Sequence, residues 1–368
     1  MTGAAMFGIA VRSILWQHLR AIGFVMFVLL IVAFSIDLSQ TMDELITKAA
    51  ETKQSLIRII VPYLGYRAAD IVTRLLPMAC LAGAFFAELL RRQRMEDVIL
   101  SAAGASPALV LWALLLIAAG VGSFQATMEG WLRPLAVFNQ VDMGVGTYAS
   151  RYRHHETDAR WFVTDARAMQ ARVIISDTPQ LRDITLFDGI DQDALNAILT
   201  AKSATAGAQP GEWDLQGVQR WVPDARGNMQ PTQLAHATIT FPLSEAELQY
   251  LTVPAFNLPN DDLRELRSTA TGLRKADADI ASYRRITAFF LPGIFILLGA
   301  SLAQTGYKGR WFAPFRLTAL AVLGYICVVS VKIFWSLGIF GQVPPLWACI
   351  TSLILAAGLT FALQARRF

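Results

Sequence analysis

Charged residues are scarce in this sequence. They make up 16% of the 368 residues, whereas a soluble globular protein carries about 25%, and apolar residues make up 54%. The mean hydropathy of +0.43 also favours a membrane protein. The net charge of +4 is small for a chain of this length, so the composition does not indicate a nucleic-acid partner.

Cysteine is rare as well. Cys80, Cys327 and Cys349 all lie in apolar stretches, and the polar middle of the chain has none. A disulfide framework is therefore excluded in the middle region, which must fold around an apolar core of its own.

Motifs for catalysis are missing too. The sequence has no G-x-x-x-x-G-K-[ST] loop to hold nucleotide phosphates and no G-x-S-x-G nucleophile elbow. The one metal-like group is His154, His155, Glu156 and Asp158. Neighbouring histidines point in different directions, so a solvated linker is favoured over a metal site. We predict no catalytic residue, no metal and no cofactor.

Six apolar stretches have about the length that a membrane helix needs. A helix requires about 20 largely apolar residues to cross a bilayer core about 30 Å thick. The stretches are 21–36, 71–90, 107–127, 286–303, 317–337 and 346–363. The first follows an amphipathic segment, which predicts a helix at the interface, and no small-residue cleavage site follows it, so we expect it to be retained.

The basic residues predict the orientation of these helices. Lys and Arg concentrate in the cytoplasmic loops of membrane proteins. Here they concentrate in the N-terminal segment, the loops after the second and fourth stretches, and the tail: Arg12, Arg20, Arg91, Arg92, Arg94, Lys308, Arg310, Arg316, Arg366 and Arg367. Both termini are therefore predicted to be cytoplasmic, and the polar middle to lie on the far side.

The polar middle has the pattern of a β domain. Apolar and polar residues alternate in short runs between Gly, Pro and Asp turns, which is typical of a sandwich or jelly roll. The runs are 161–163, 173–175, 184–187, 195–202, 213–221 and 238–241, and a helical pattern begins near Ser244. We predict an α-helical membrane protein with six transmembrane helices, three plus three, and an inserted all-β, jelly-roll-like domain. The predicted boundaries are 1–128, 129–282 and 283–368.

Two cations lie inside the apolar stretches. Arg74 is 17 residues before Arg91, or about 25 Å along a helix, which places it towards the far leaflet. Arg67 shares its helical face, and Lys332 lies at a similar depth in the fifth stretch. Arg74 could pair with Asp70 while Lys332 extends to the interface. Alternatively, Arg67, Arg74 and Lys332 form a basic collar for a phosphate-bearing lipid. The residues alone leave both interpretations open.

The segment 91–106 joins the second and third stretches. Met95, Val98, Ile99 and Ala102 recur in it at helical spacing. It could be an amphipathic helix that only covers the interface, or a rigid attachment point for a cytoplasmic partner.

A family resemblance decides between these interpretations. Residues 96–106 resemble the E-L-x-x-x-R-A-x-G-x-S segment of the LptF/LptG permeases, the membrane subunits of the lipopolysaccharide export ABC transporter. Leu76-Pro77-Met78-Ala79 resembles the family's L-L-P-x-A segment, residues 201–204 and 211–215 its A-K-x-A and W-x-L strands, and residues 342–345 its L-P-P turn. The resemblance covers nearly the whole chain. Asp37-Leu38 and the long loop after the first helix look more like LptG. Ser101 replaces the usual Arg, and Asp97 replaces an apolar residue.

The resemblance implies a function in lipid export. It implies pairing with a paralogous LptF/LptG subunit in the inner membrane, an LptB-like ATPase dimer that uses the ATP, and transfer of lipopolysaccharide to LptC/LptA-like periplasmic jelly-roll proteins. The chain itself would not be an enzyme. The coupling residues would be Arg91, Arg92, Glu96, Ser101, Ala102 and Gly104, and the lipid would meet Arg67, Arg74 and Lys332.

Two other classes of function remain as alternatives. Lipoprotein-release or FtsX-type permeases usually have four membrane helices, with the large external domain after the first. A membrane-anchored sensor or scaffold would need neither intramembrane cations nor a coupling helix.

Overall fold

A computed structural model describes residues 3–106, 108–152, 156–176, 178–192, 195–209, 211–224, 228–306 and 314–365. The chain divides into two compact units. The first, called the membrane unit, comprises Met1–Gly146 and Asp279–Phe368, and the second, called the β unit, comprises Thr147–Ala278.

The described part of the chain is mostly helical. Its α-helices are α1 Gly3–Thr52, α2 Leu56–Gln93, α3 Glu96–Ala102, α4 Ala108–Thr127, α5 Arg133–Met143, α6 Gly146–Tyr152, α7 Glu245–Gln249, α8 Asn260–Thr269, α9 Gly272–Thr287, α10 Phe290–Gly306, α11 Pro314–Ile339 and α12 Pro345–Ala365. A π-helical turn, Met128–Leu132, joins α4 to α5, and a 3-10 turn, Ala255–Asn257, precedes α8.

Five of the six predicted stretches fall on one helix each, the third of them from residue 108 onward, and the stretch 286–303 spans the break between α9 and α10. Among the described residues, five helical segments are long and apolar enough to cross a membrane, and α9 with α10 makes a sixth if that pair, bent by 58°, counts as one span. The predicted fold class of membrane helices with an inserted β domain is therefore confirmed. The segment before the first stretch is not a separate interfacial helix, because α1 runs without a break through 50 residues.

The third membrane helix is longer than its apolar stretch. It continues from α4 through the π turn into α5 and ends at Met143. The predicted boundary at 129 thus falls inside a helix, and the compact β unit spans Thr147–Ala278 rather than 129–282. Hydropathy misses the extension because Glu129 and Arg133 are polar, yet both are buried in the membrane unit.

Glycines allow the membrane helices to approach each other closely. A Cβ on Gly299 of α10 would overlap the Leu81 carbonyl of α2, and a Cβ on Gly122 of α4 would overlap the Phe289 carbonyl before α10. Small residues are favoured where membrane helices pack, because association there depends on close van der Waals contact. These glycines therefore fix how α10 packs against α2 and α4.

The β unit contains one antiparallel sheet. Its strands are β1 Arg160–Val163, β2 Arg167–Ile174, β3 Gln180–Asp188, β4 Ala197–Ala206, β5 Glu212–Pro223 and β6 Met229–Thr240, in the order β1-β2-β3-β4-β5-β6. Every run predicted as a strand overlaps one of them. The described strands follow each other as a meander rather than in the Greek-key order of a jelly roll. Alternation identifies strands but carries no information on their connections.

Trp213 anchors the core of the β unit. Its side chain is fully buried, and its indole Nε1 donates to the Leu243 carbonyl at 3.1 Å. The helical part begins after Ser244, as predicted, where a reciprocal capping box with Glu247 starts α7. The sheet and the helical segment are thus joined through a common core.

Candidate functional site

The segment between α2 and α4 contains a short helix with a strained start. Met95 separates α2 from α3 and has φ +53°, a left-handed conformation that is unfavourable for a residue with a side chain. Glu96 and Asp97 follow at the first turn of α3, where acidic side chains interact favourably with the helix dipole. The predicted helix of about 91–106 is therefore the end of α2, a tight turn and α3.

The end of α3 explains the glycine of the family-like segment. Gly104 has φ +80°, its N–H donates to the Ser101 carbonyl at 3.0 Å, and the Ala105 N–H donates to the Leu100 carbonyl at 2.9 Å. These two bonds form a Schellman motif, which requires a left-handed residue at this position. Gly104 thus terminates α3 and sets the direction of the chain towards α4.

One side of α3 presents an apolar surface. No residue of α3 is buried, and Val98 and Ile99 are 62% and 64% exposed. Met95, Ser101 and Ala102 are exposed as well. Exposed apolar side chains next to each other mark interaction sites more often than isolated ones do. We call Met95, Val98, Ile99, Ser101 and Ala102 the α3 surface.

The acidic side of α3 is attached to a buried arginine. Arg91 is 1% exposed, and its guanidinium contacts three carboxylates. Nη1 donates to Glu88 Oε2 at 2.7 Å, Nη2 donates to Asp97 Oδ1 at 3.0 Å, and Nε lies 3.5 Å from Glu96 Oε2. Of the predicted coupling residues, Arg91 therefore lies inside the protein, and Glu96 is directed towards it.

Glutamine side chains extend this cluster to two other helices. The side-chain amide of Gln304 in α10 donates to Glu88 Oε1 at 2.8 Å, and the main-chain carbonyl of Gln304 accepts from Arg92 Nη1 at 3.0 Å. Gln17 of α1 lies 3.2 Å from both carboxylate oxygens of Glu96. The α3 cluster, defined as Gln17, Glu88, Arg91, Arg92, Glu96, Asp97 and Gln304, thus connects α1, α2, α3 and α10.

A cleft of about 470 Å³ adjoins the α3 cluster. Glu88, Arg92 and Asp97 line its polar wall, and Leu109 and Leu114 of α4 contribute to its apolar wall. The cleft lies within the membrane unit and shares residues with the α3 cluster.

A second charged cluster surrounds Asp70. This carboxylate is 1% exposed, and it accepts hydrogen bonds from Arg67 Nη1 at 3.1 Å, Arg74 Nε at 2.9 Å and Arg133 Nε at 2.9 Å. The pairing of Arg74 with Asp70, one of the two interpretations of the sequence, is present in the structure.

The second cluster continues to both sides of Asp70. Arg67 Nε donates to Asp37 at 2.7 Å, and Arg284 Nη2 donates to Glu129 at 2.7 Å. Glu129 also lies 3.3 Å from Arg133. The Asp70 cluster, defined as Asp37, Arg67, Asp70, Arg74, Glu129, Arg133 and Arg284, holds together α1, α2, the third membrane helix and α9. Its four guanidinium groups exceed its three carboxylates by one charge.

The three predicted lipid-binding residues do not have the same surroundings. Arg67 is mostly covered by its acidic partners, whereas the Arg74 side chain is 47% exposed. Lys332 is exposed on α11, one turn before Trp335, whose ring lies 4.1 Å from the Arg284 guanidinium carbon. Lys332 therefore lies on the helix whose Trp335 contacts the Asp70 cluster.

Sequence reasoning named Asp70 only as a possible partner of Arg74, and as site residues it missed four members of the Asp70 cluster altogether: Asp37, Glu129, Arg133 and Arg284. The spacing of four between Glu129 and Arg133 was a usable signal, since such residues meet on one face of a helix. No comparable signal pointed to Asp37 or Arg284, because their partners are distant in the sequence.

The described residues contain no group of His, Cys, Asp and Glu that could hold a metal ion. Glu156 pairs with Arg172 at 3.6 Å. His154 and His155 lie outside the described residues.

A comparison with protein families places these features in context. The family model described as "Lipopolysaccharide export system permease LptF/LptG" matches residues 12–366. The match extends from α1 to the end of α12 and includes the whole β unit. A comparison with individually curated proteins gave no match.

Proposed function

Because the chain belongs to the LptF/LptG family of lipopolysaccharide export permeases, we propose that it is a membrane subunit of an ATP-driven lipopolysaccharide exporter. In this function it extracts lipopolysaccharide from the outer leaflet of the inner membrane and passes it to periplasmic jelly-roll partners. The family expected from the sequence is confirmed. The match does not distinguish LptF from LptG, so the similarity to LptG stays a prediction.

The α3 surface is the observation that carries the proposal. Removing a lipid from a bilayer exposes acyl chains at about 0.8 kcal/mol per methylene, so the process requires an energy source. The sequence has no P-loop, and α3 offers an exposed apolar face between two membrane helices. An LptB-like ATPase dimer docks on this face and uses the ATP, while a paralogous LptF/LptG subunit completes the membrane part.

Substitutions on the α3 surface test the docking. Val98→Glu and Ile99→Glu place a charge in the proposed interface, and we expect at least a tenfold loss of the ATPase that co-purifies with the protein. Val163→Glu is the matched control, since Val163 is exposed to a similar extent, 66%, but lies in β1. Retention of the ATPase at the wild-type level in both α3 variants would contradict the docking.

We further propose that both termini are cytoplasmic and that the β unit is periplasmic, where it meets LptC/LptA-like proteins. The loop charges support this orientation, although Lys308, Arg310, Arg366 and Arg367 lie outside the described residues. A cysteine replacing exposed Ser101 should react only from the cytoplasmic side, and one replacing exposed Gln233 only from the periplasmic side. The unmodified protein is the control for reaction at its own cysteines. Reaction of both positions from one side would exclude the orientation.

Arg67, Arg74 and Lys332 are proposed to meet the lipid phosphates. The excess positive charge of the Asp70 cluster and the exposure of Arg74 and Lys332 support this role. A photo-crosslinker at Arg74 or Lys332 should capture lipopolysaccharide. Arg74→Ala and Lys332→Ala should weaken capture at neighbouring positions severalfold, with at most a small decrease in the melting temperature. Normal capture of lipopolysaccharide together with a lowered melting temperature would mean that Arg74 has only a structural role in the Asp70 cluster.

A further inference from the structure

We propose that Glu88 and Arg91 form a positioning joint that ties α3 to α1 and α10, so that a displacement of α3 moves these two membrane helices. The inference rests on the proposed docking of the ATPase on the α3 surface. It assigns to Arg91 the role of holding α3, because a fully buried side chain cannot itself contact a docked protein.

The backbone alone does not hold α3 in place. Met95, in the turn from α2 into α3, has a left-handed backbone conformation. This conformation is unfavourable for a residue with a side chain, so the contacts around the turn have to maintain it. The two side chains that directly follow the turn, those of Glu96 and Asp97, both contact Arg91. These ion pairs therefore help to set the orientation of α3, together with the packing of Leu100 against the cluster of Ile14 and Leu109.

The burial of Arg91 makes the attachment stiff. Leaving a buried guanidinium without its carboxylates destabilises a protein strongly, because the buried charge is then uncompensated. Arg91 is also held from the α2 side by Glu88, which is 1% exposed. If α3 moves together with Arg91 and Glu88, all the ion pairs are kept. If α3 slides past Arg91, the pairs of Glu96 and Asp97 with Arg91 break.

Two contacts carry this movement to the membrane helices. Gln304 of α10 donates to Glu88, and Gln17 of α1 donates to Glu96. His18, also on α1, is fully buried with Nε2 3.9 Å from Glu88 Oε2. Because α10 belongs to the second set of three helices, the joint links both sets to one cytoplasmic helix.

Two conservative variants test the two residues of the joint. Arg91→Lys keeps the positive charge, but an ammonium cannot replace the planar fork that contacts several carboxylates at once. Glu88→Gln keeps the shape of the side chain, but it removes the negative charge that orients Arg91. It also weakens the hydrogen bond that Gln304 donates to residue 88. The assembled transporter with its ATPase is reconstituted into liposomes, and lipopolysaccharide transport and ATP hydrolysis are measured together. We expect hydrolysis within twofold of wild type and about tenfold less lipid transported per ATP in both variants.

A distance measurement tests the joint without the ATPase. Cysteines that replace Leu19 of α1 and Ala102 of α3 carry spin labels, and the distance between the labels reports the position of α3. Cys327 is replaced by Ser because it is partly exposed, whereas Cys80 and Cys349 are buried. Arg91→Lys should broaden or shift this distance. Arg133→Lys is the matched control, since Arg133 is equally buried but belongs to the Asp70 cluster, and it should leave the distance unchanged.

The outcomes distinguish the joint from the proposed function. If the wild-type assembly neither binds an ATPase nor transports lipid, the proposed function fails, and the distance measurement still tests the joint. If the wild type transports, both variants keep its transport per ATP, and Arg91→Lys keeps its α3 distance, the joint is wrong. Loss of folding in both variants would assign the pair to the fold alone and overturn the joint as well.

Discussion

Replacing Asp70 by Asn removes one buried charge with almost no change in shape. The Asp70 carboxylate is 1% exposed and accepts from three arginines at 2.9 to 3.1 Å. The amide can still accept some of these bonds, but it cannot balance the positive charges around it. We therefore expect Asp70→Asn to be one of the most destabilising single substitutions in the membrane unit.

The expected magnitudes follow from burial. Removing one partner of a buried ion pair costs about 3–5 kcal/mol, which we expect for Asp70→Asn. Arg74 is nearly half exposed, so Arg74→Ala should cost only about 0–1 kcal/mol, the range for solvent-exposed pairs. Arg133 is buried at 1%, and Arg133→Gln should lie between these values. The double variant Asp70→Asn with Arg133→Gln should lose about 1–3 kcal/mol less stability than the sum of the two single losses, because the two side chains interact directly.

Denaturation of the four variants in nanodiscs, followed by intrinsic fluorescence, measures this order. The wild type and Lys332→Ala serve as references, since Lys332 is exposed. Two results would refute the reasoning: equal destabilisation by Arg74→Ala and Asp70→Asn, or additive effects of the Asp70 and Arg133 substitutions.

Three further substitutions test packing and local conformation. Trp213→Ala should lower the free energy of unfolding of the β unit by about 3–5 kcal/mol. Trp213→Phe should lower it less, because Phe keeps most of the buried area and loses mainly the hydrogen bond to the Leu243 carbonyl. Melting of the β unit within the full chain measures both effects. Gly104→Ala should lower the amount of bound ATPase while Gly104→Asn retains most of it, because Asn tolerates the left-handed conformation and no atom of the described residues lies within 4 Å of the added Cβ. Equal retention would contradict the Schellman cap. Gly299→Ala should lower the melting temperature because its Cβ overlaps the α2 backbone, whereas Gly120→Ala should not, since its Cβ has no atom of the described part of the chain within 4 Å. Identical melting of the two variants would contradict the close approach.

The sequence by itself determined the membrane helices and the presence of the β domain. A chain in lipid must satisfy its backbone polar groups internally, so each spanning segment is a helix that hydropathy can identify. The strands of the β unit are equally local, since a sheet with one buried face requires alternating residues such as those of β4. The family was also readable, because the residues of the 96–106 segment stand in a fixed order along the chain.

The tertiary structure alone decided which charged residues from distant parts of the chain contact each other. From the sequence, Arg91 is predicted to be one of several cytoplasmic cations. In the structure, the turn at Met95 brings Glu96 and Asp97 back towards Arg91, which is buried against these two carboxylates and that of Glu88. Arg74 shares its Asp70 partner with Arg133, 63 residues away from that carboxylate in the chain. Periodicity and composition report which face of an element is apolar. They do not report which two elements meet, and the burial and pairing of a charge depend on that meeting.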